Sequence, residues 1–217
     1  MSVAVWFISA VAAYFLGALN PAIVLSKAIY KKDIRTIGSG NPGFTNFKRT
    51  FGNRYAWFVF ALDLLKAVVP CVGFGLLFDY TGWGYVFGAV YTGLFAFIGH
   101  TFPVYYQFKG GKGYLVCLAI LWAADWRSGL VATGVLAVLV LTVKIMSVAT
   151  LSSLAAGSAA LFLFTGDVPA GIIFAACTLF VIARHKDNLK RLVKGEEPKF
   201  SLGGSKGKNK DKENLDA

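Results

Sequence analysis

Residues 80–108 read YTGWGYVFGAVYTGLFAFIGHTFPVYYQF, a stretch without one Asp, Glu, Lys or Arg. A helix crossing the hydrocarbon core of a bilayer needs about 20 predominantly apolar residues, so this stretch decides the fold class. Residues 1–26 form a second charge-free run of that order, and 113–124, 128–143, 145–166 and 168–183 are four more. A seventh apolar stretch, 55–78, is interrupted only by Asp63 and Lys66. The shorter runs reach spanning length once flanking aromatics and snorkelling charges are included. Only 113–124 is marginal, at a length that also suits a re-entrant segment; Trp122, Trp126 and Arg127 extend it to an interface, and it counts as a short span. The expectation is an all-α integral membrane protein, a bundle of about seven transmembrane helices.

Composition agrees. Of 217 residues, 56% are hydrophobic and 15% charged, and the net charge is +11. An average soluble domain is about 45–50% apolar and about 25% charged. A mean hydropathy of +0.61 beside so large a charge requires the two to be segregated. That excludes an ordinary soluble globule, a secreted disulfide scaffold and a disordered chain. Residues 27–54 carry seven bases against the single acid Asp33, Lys109 and Lys112 follow in the next loop on that side, and ten more bases lie from Arg184 onward. The other side carries Asp79, Asp125 and Asp167 with Arg127. By the positive-inside rule the basic loops and the C-terminus are cytoplasmic and the N-terminus is outside, which requires an odd number of spans.

Residues 1–26 lack a basic leader, and Asn20-Pro21 is a poor cleavage signature, so they are expected to be an uncleaved first helix with Pro21 near its end. Residues 1–200 are expected to form a single membrane-embedded domain, and 201–217 a disordered basic tail. Cys71, Cys117 and Cys177 fall inside spans without ligand or pairing spacing and read as packing residues. No metal, cofactor or nucleic-acid partner is implied.

Three segments on the basic side are not arbitrary loops. Residues 38–49, GSGNPGFTNFKR, combine three glycines, four small hydroxyl or amide side chains and two bases. Glycines let backbone N–H groups approach an anion, and Arg49 adds a forked cation suited to phosphate; the plainer reading is a flexible basic loop. Residues 99–113, GHTFPVYYQFKGGKG, end in a Lys-Gly-Gly-Lys-Gly run. It is not a Walker A loop, because Tyr106 and Gly113 stand where that motif needs Gly and Ser or Thr. It could still cradle a phosphate, with His100 a hydrogen-bonded helix-end residue. In residues 184–197, RHKDNLKRLVKGEE, His185, Asn188 and Arg191 share one helical face, beyond what a basic surface helix needs. Asp63 and Lys66, three apart and about two turns inside the second helix, either lock helices as an ion pair or meet substrate. An anionic substrate meeting a lipid-soluble one fits all of this. Chemistry alone leaves open a lipid-synthesis enzyme and a membrane transporter of an organic phosphate.

The order Gly-Ser-Gly-Asn-x-Gly-x-Thr-Asn-x-x-Arg, Gly-His-x-Phe-Pro-Val, Phe-Lys-Gly-Gly-Lys-Gly, His-x-x-Asn and Gly-x-Glu resembles the bacterial acyl-phosphate-dependent glycerol-3-phosphate acyltransferases, the PlsY family. The similarity runs from the first helix to about Phe200, and Asp63-x-x-Lys66 also matches. The resemblance implies transfer of a fatty acyl group from acyl phosphate to the 1-hydroxyl of glycerol 3-phosphate, at the cytoplasmic face of the bacterial inner membrane. The products are 1-acylglycerol 3-phosphate (lysophosphatidate) and phosphate. A functional link to the enzyme that produces the acyl phosphate is expected, and no cofactor.

On this resemblance Ser39, Arg49, His185 and Asn188 are the catalytic set. Gly38, Gly40, Asn41, Thr45, Asn46, Lys109, Gly110, Gly111, Lys112, Gly113, Arg191 and Glu197 bind substrate or phosphate. Asp63, Lys66 and His100 support them. No protein nucleophile is implied, since the donor's own phosphate accepts the hydroxyl proton, and Ser39 is a positioning hydroxyl. The sequence departs from the family at Phe44, where alanine is usual, and at Tyr114-Leu115-Val116, where Val-Ala-Thr is usual.

Overall fold

The computed structural model describes residues 2–200; the expected tail at 201–217 lies outside the described residues. Ten α-helices follow one another: α1 (Ser2–Ala18), α2 (Pro21–Tyr30), α3 (Phe44–Phe51), α4 (Asn53–Tyr80), α5 (Tyr85–Thr101), α6 (Tyr114–Ala124), α7 (Trp126–Thr142), α8 (Met146–Thr165), α9 (Val168–Arg184) and α10 (Lys186–Val193). Short 3-10 turns lie at Ile34–Thr36 and Val104–Tyr106, and the described residues include no strand beyond an isolated bridge between Ile145 and Lys199. All-α architecture is therefore what the apolar runs build.

Each of the seven apolar stretches is helical, but they are unequal. Val3–Tyr30, Asn53–Tyr80, Tyr85–Tyr106 and Met146–Thr165 are long and apolar enough to cross a bilayer, and α9 with α10, bent by 56°, counts as a fifth if the bent pair is one span. The remaining two, α6 and α7, are shorter. At 1.5 Å per residue α6 is only about 16 Å long. Its brevity is tolerated because Val116 to Leu121 are all buried, so the helix lies inside protein and not against lipid. Its C-terminal end is dressed as well: the Tyr85 hydroxyl donates to the carbonyl of Ala123 at 2.7 Å, and Asp125 caps α7 by accepting from the Ser128 N–H at 2.9 Å.

The first run departs from expectation at its end. Pro21 does not close the first helix; it opens a second one. Asn20 is the cap, its side-chain oxygen accepting from the Ile23 N–H at 3.0 Å, with Pro21 in the first turn where a missing N–H is harmless. The same Asn20 amide donates to the carbonyl of Pro42 at 3.1 Å, so the helix break also holds down the first glycine-rich loop.

Helices α1 and α5 approach backbone to backbone. A Cβ on Gly17 would lie 2.1 Å from the Ala96 carbonyl oxygen, and one on Gly99 2.1 Å from that of Tyr14. Further along the same seam Trp6 packs edge-on against Phe78, Trp83 and Tyr91. Replacing Gly99 by Leu forces these helices apart. We expect a loss of roughly 1–3 kcal/mol, read as a lower thermal midpoint of the protein in detergent. Gly73→Ala, at a position where an added Cβ meets nothing within 4 Å, leaves that midpoint unchanged or higher.

Candidate active site

The first glycine-rich segment is folded around Asn46. From α3 its side-chain oxygen accepts from the Ser39 N–H at 3.0 Å, while its nitrogen donates to the carbonyls of Ile37 at 3.0 Å and Ile34 at 3.4 Å. Gly38 and Gly40 take left-handed backbone, at φ 61° and 69°, which turns the loop tightly enough for this. Asn46 thus acts as an internal staple, its amide taken up by the loop. Ser39, Asn41, Thr45 and Arg49 are left bordering a cavity of about 180 Å³, the space of about six waters.

The second segment is built on α5. Gly110 and Gly111 run back along the helix end, their N–H groups donating to the carbonyls of Thr101 at 3.2 Å and His100 at 3.1 Å. A Cβ on Gly110 would lie 2.1 Å from the His100 carbonyl oxygen, and one on Gly111 2.2 Å from Nε2 of that ring. Both glycines pack closely against the helix end, and their N–H groups are engaged by its carbonyls. Lys112 and Gly113 beyond them do border the cavity.

The third segment supplies the opposite wall. His185 sits at the bend between α9 and α10, buried, with Nδ1 2.8 Å from the Val181 carbonyl. A carbonyl only accepts, so Nδ1 carries the proton, and a neutral ring leaves Nε2 as an acceptor. The Lys112 ammonium donates to the Asn188 side-chain oxygen. Asn188 donates in turn to Glu197 Oε1 at 2.6 Å, and Arg191 Nε to Glu197 Oε2 at 2.8 Å. Glu197, not its exposed neighbour Glu196, is the acid at the cavity. Burial pushes its carboxyl up, but the bonds from Asn188 and Arg191 outweigh that and hold it below the ordinary range. Burial, reinforced by the Arg191 charge, brings Lys112 down to about 8.

Asp63 lies ten residues into α4, nearly three turns from its start. Its Oδ1 is 2.8 Å from the Lys66 ammonium, which also lies 2.8 Å from His100 Nδ1 and donates to the Leu19 carbonyl at 2.7 Å. An ammonium only donates, so His100 accepts through Nδ1 and a neutral ring carries its proton on Nε2. The pair therefore ties α4 to α5 and to the break after α1. Asp63 and His100 also reach the cavity wall; Lys66 does not.

Of the expected site residues, Ser39, Asn41, Thr45, Asn46, Arg49, Asp63, His100, Lys112, Gly113, His185, Asn188, Arg191 and Glu197 meet around this one cavity. Gly38 and Gly111 shape its walls without bordering it. Gly40, Lys109 and Gly110 instead border a neighbouring cavity, so Lys109 is not in the first set. The sequence reading missed Asn20, although an Asn-Pro pair before an apolar run is a helix-start signal. It also missed the apolar wall of Phe60, Leu136 and Met146, which nothing distinguishes from ordinary lipid-facing residues. Phe44 and Tyr114, the two family departures, both border the cavity too, and the Tyr114 hydroxyl lies 3.0 Å from that of Ser153.

The family model described as glycerol-3-phosphate acyltransferase matches residues 7–195. The chain belongs to the glycerol-3-phosphate acyltransferase family. It is 38% identical over 193 residues to the glycerol-3-phosphate acyltransferase of Listeria welshimeri, covering 87% of this chain and 93% of that one. With the glycerol-3-phosphate acyltransferase of Aquifex aeolicus it shares 35% over 190 residues, 87% of this chain and 95% of that one. Among solved structures it resembles PlsY (YgiH), an integral membrane glycerol 3-phosphate acyltransferase, in its glycerol 3-phosphate form. The TM-score is 0.79 at 29% identity, over 90% of this chain and 96% of that one. The lysophosphatidic acid form of PlsY gives a TM-score of 0.78 at the same identity. Glu197 lies just past the region matched by the family model.

Removing one partner of a buried ion pair strands the other. Lys66→Met is expected to destabilise the protein by about 3–5 kcal/mol, seen as a large fall in thermal midpoint in detergent. The double variant Asp63→Leu/Lys66→Met, which leaves no stranded carboxylate, loses less than Lys66→Met alone.

Proposed function

We propose that this protein transfers a fatty acyl group from acyl phosphate to the 1-hydroxyl of glycerol 3-phosphate. The products are 1-acylglycerol 3-phosphate and inorganic phosphate. The observation that carries this reading is a cavity with two kinds of wall. The linked side chains of Lys112, Asn188, Glu197 and Arg191, with Ser39 and Arg49 opposite, form a polar half, and Phe44, Phe60, Leu115, Leu136 and Met146 form an apolar half. Such a space suits a phosphorylated polyol meeting the head of an acyl chain.

The reaction needs little covalent help. The substrate hydroxyl oxygen bonds to the carbonyl carbon, the bond from that carbon to the phosphate oxygen breaks, and the hydroxyl proton passes to the departing phosphate. The protein screens two phosphates from each other and aligns hydroxyl with carbonyl. Arg49, Lys112 and Arg191 supply the positive charge. Asn41 and Thr45 offer neutral hydrogen bonds, and the rim position of Ser39 suits a hydroxyl that positions the acyl group. His185, with Nδ1 engaged, offers Nε2 to a substrate hydroxyl. Asp63 and His100 hold the floor. An organic-phosphate transporter would need polar groups along a route through the bilayer midplane; here the linked groups collect where the three motif segments meet.

The same reading gives seven spans, with α1 and α2 together, α4, α5, α6, α7, α8 and α9, an N-terminus outside and a cytoplasmic C-terminus. The basic segments at 27–54, 109–112 and 186–194 support it by lying at the cavity's end of the bundle, whereas Asp79, Asp125 and Asp167 lie at the helix ends away from it. Residues 1–200 are then one membrane domain in the bacterial inner membrane, supplied by the enzyme that makes the acyl phosphate.

Purified protein given labelled glycerol 3-phosphate and competing donors is expected to release phosphate from acyl phosphate and to ignore acyl-CoA; transfer from acyl-CoA alone overturns the donor assignment. Lys112→Ala raises the KM for glycerol 3-phosphate at least about tenfold, whereas Ser39→Ala acts mainly on kcat.

The pH profile gives an independent check. Lys112 is charged below about 8 and loses its proton above it. The KM for glycerol 3-phosphate therefore climbs as pH rises past that point, somewhat later once bound phosphate favours the charged form. Lys112→Arg, charged throughout, flattens the climb.

A further inference from the structure

A second cavity, of about 450 Å³, is lined by residues of the same motif segments. The two share their partitions. Ser39, Asn41 and Gly43 border the first cavity while Gly40 and Pro42 border the second. Lys112 faces the first and Lys109 the second; His185 faces the first and Arg184 the second. Each motif segment thus gives residues to both spaces.

The charges in the second cavity are arranged for an anion. Arg35, Lys109 and Arg184 stand against a single carboxylate, Asp33. That carboxylate is already occupied: Arg35 grips it through Nε at 3.0 Å and a terminal nitrogen at 2.6 Å, and Lys27 lies 3.3 Å away. Arg35 and Asp33 therefore offset each other, and Lys109 and Arg184 are left without a carboxylate in the cavity wall. Both guanidinium groups are held in place by backbone, Arg35 by the Tyr106 carbonyl at 3.0 Å and Arg184 by the carbonyls of Gly110 at 3.2 Å and Gly111 at 3.3 Å. Arg184 uses one terminal nitrogen for this, leaving its other N–H groups for a ligand. The Lys109 ammonium is exposed and has no side-chain partner among the described residues.

We propose that this second cavity is a phosphate-binding site distinct from the reaction cavity, held by Lys109 and Arg184. A backbone-anchored fork with free N–H groups and an exposed ammonium match a tetrahedral group with several anionic oxygens better than a single carboxylate. The phosphate comes from one of two sources, free phosphate in solution or the phosphomonoester head group of a lipid. The second source fits the exposed Phe102, Tyr105 and Phe108 on the same loop, aromatics suited to a bilayer interface. Residues expected from sequence to hold substrate, Lys109 and Gly40 among them, thereby gain a different ligand.

Calorimetric titration of inorganic phosphate into the protein, in nanodiscs of phosphatidylcholine and with no acyl donor present, tests the site without reference to acyl transfer. The wild-type protein is expected to show two phosphate components. Lys109→Gln weakens one of them at least about tenfold, Lys112→Gln weakens the other, and the double variant loses both. Lys109 is exposed, so its replacement leaves the thermal midpoint unchanged. A single wild-type component, loss of all phosphate binding in Lys112→Gln, or a Lys109→Gln titration identical to wild type overturns the proposal. Repeating the titration in discs that contain phosphatidic acid separates the sources. Disappearance of the Lys109-dependent component identifies the lipid head group, and its persistence identifies free phosphate.

Discussion

The Lys66 ammonium is the point on which the site rests. It meets Asp63 within α4, the ring of His100 on α5 and the carbonyl of Leu19 at the break between α1 and α2. A charge this deep in a membrane bundle is stable only when all of its donors are matched. Matching them sets the relative depth of three helices. The consequence runs outward. His100 gives its carbonyl to the Gly111 N–H, and its ring leaves no room for a side chain at Gly111. The backbone so placed brings Lys112 to Asn188, Asn188 to Glu197, and Glu197 to Arg191. On the other side the same break presents Asn20, which clamps the 38–43 loop through Pro42. An ion pair that touches the cavity only at its floor therefore positions both of its polar walls.

Interior polarity of this kind tolerates a short central helix. Because α6 is enclosed, it need not match the thickness of the hydrocarbon, and its N-terminus lies where Gly113 borders the cavity. The left-handed backbone of Gly113, at φ 91°, turns the chain from the packed glycine pair into the helix. Its missing side chain makes room for Phe97, whose ring a Cβ would approach to 2.2 Å. A glycine that composition alone presents as a phosphate ligand is thus also a packing requirement.

That double use explains how much could be read beforehand. Helical runs were legible because hydrophobicity without charge has one stable outcome in a bilayer. Ser39, Arg49, Lys112, His185 and Asn188 were legible because side chains of that chemistry are surplus to a basic loop. Gly110, Gly111 and Asn46 show where composition stops: a residue that bonds to or makes room for its own backbone has the composition of one that serves an anion. Only the partner of each N–H separates the two. Lys109 was grouped with Lys112 by spacing, but the left-handed turn at Gln107 and Phe108, φ 56° and 58°, sends it to the other side of the partition. The enclosure that lets so short a helix as α6 stand leaves no trace in hydropathy.

The dryness that lowers the pKa of Lys112 also bears on how such a site handles charge. With acyl phosphate as the proposed donor, the leaving group is already in place, and the barrier left to lower is largely the approach of two anions in a confined space. Bases in open water would attract the phosphates but screen them weakly; the same bases under protein interact far more strongly. Full burial without partners would leave Lys112 neutral and useless for this. The observed arrangement lies between those limits: Asn188 accepts from the ammonium, and Glu197 favours its charged form while Arg191 opposes it. An arriving phosphate tips that balance toward the protonated lysine, so attraction is greatest when substrate is present. The Glu197 carboxylate, bonded to both Asn188 and Arg191, keeps the cations from repelling one another when the site is empty. Its role follows from electrostatics without any part in bond making.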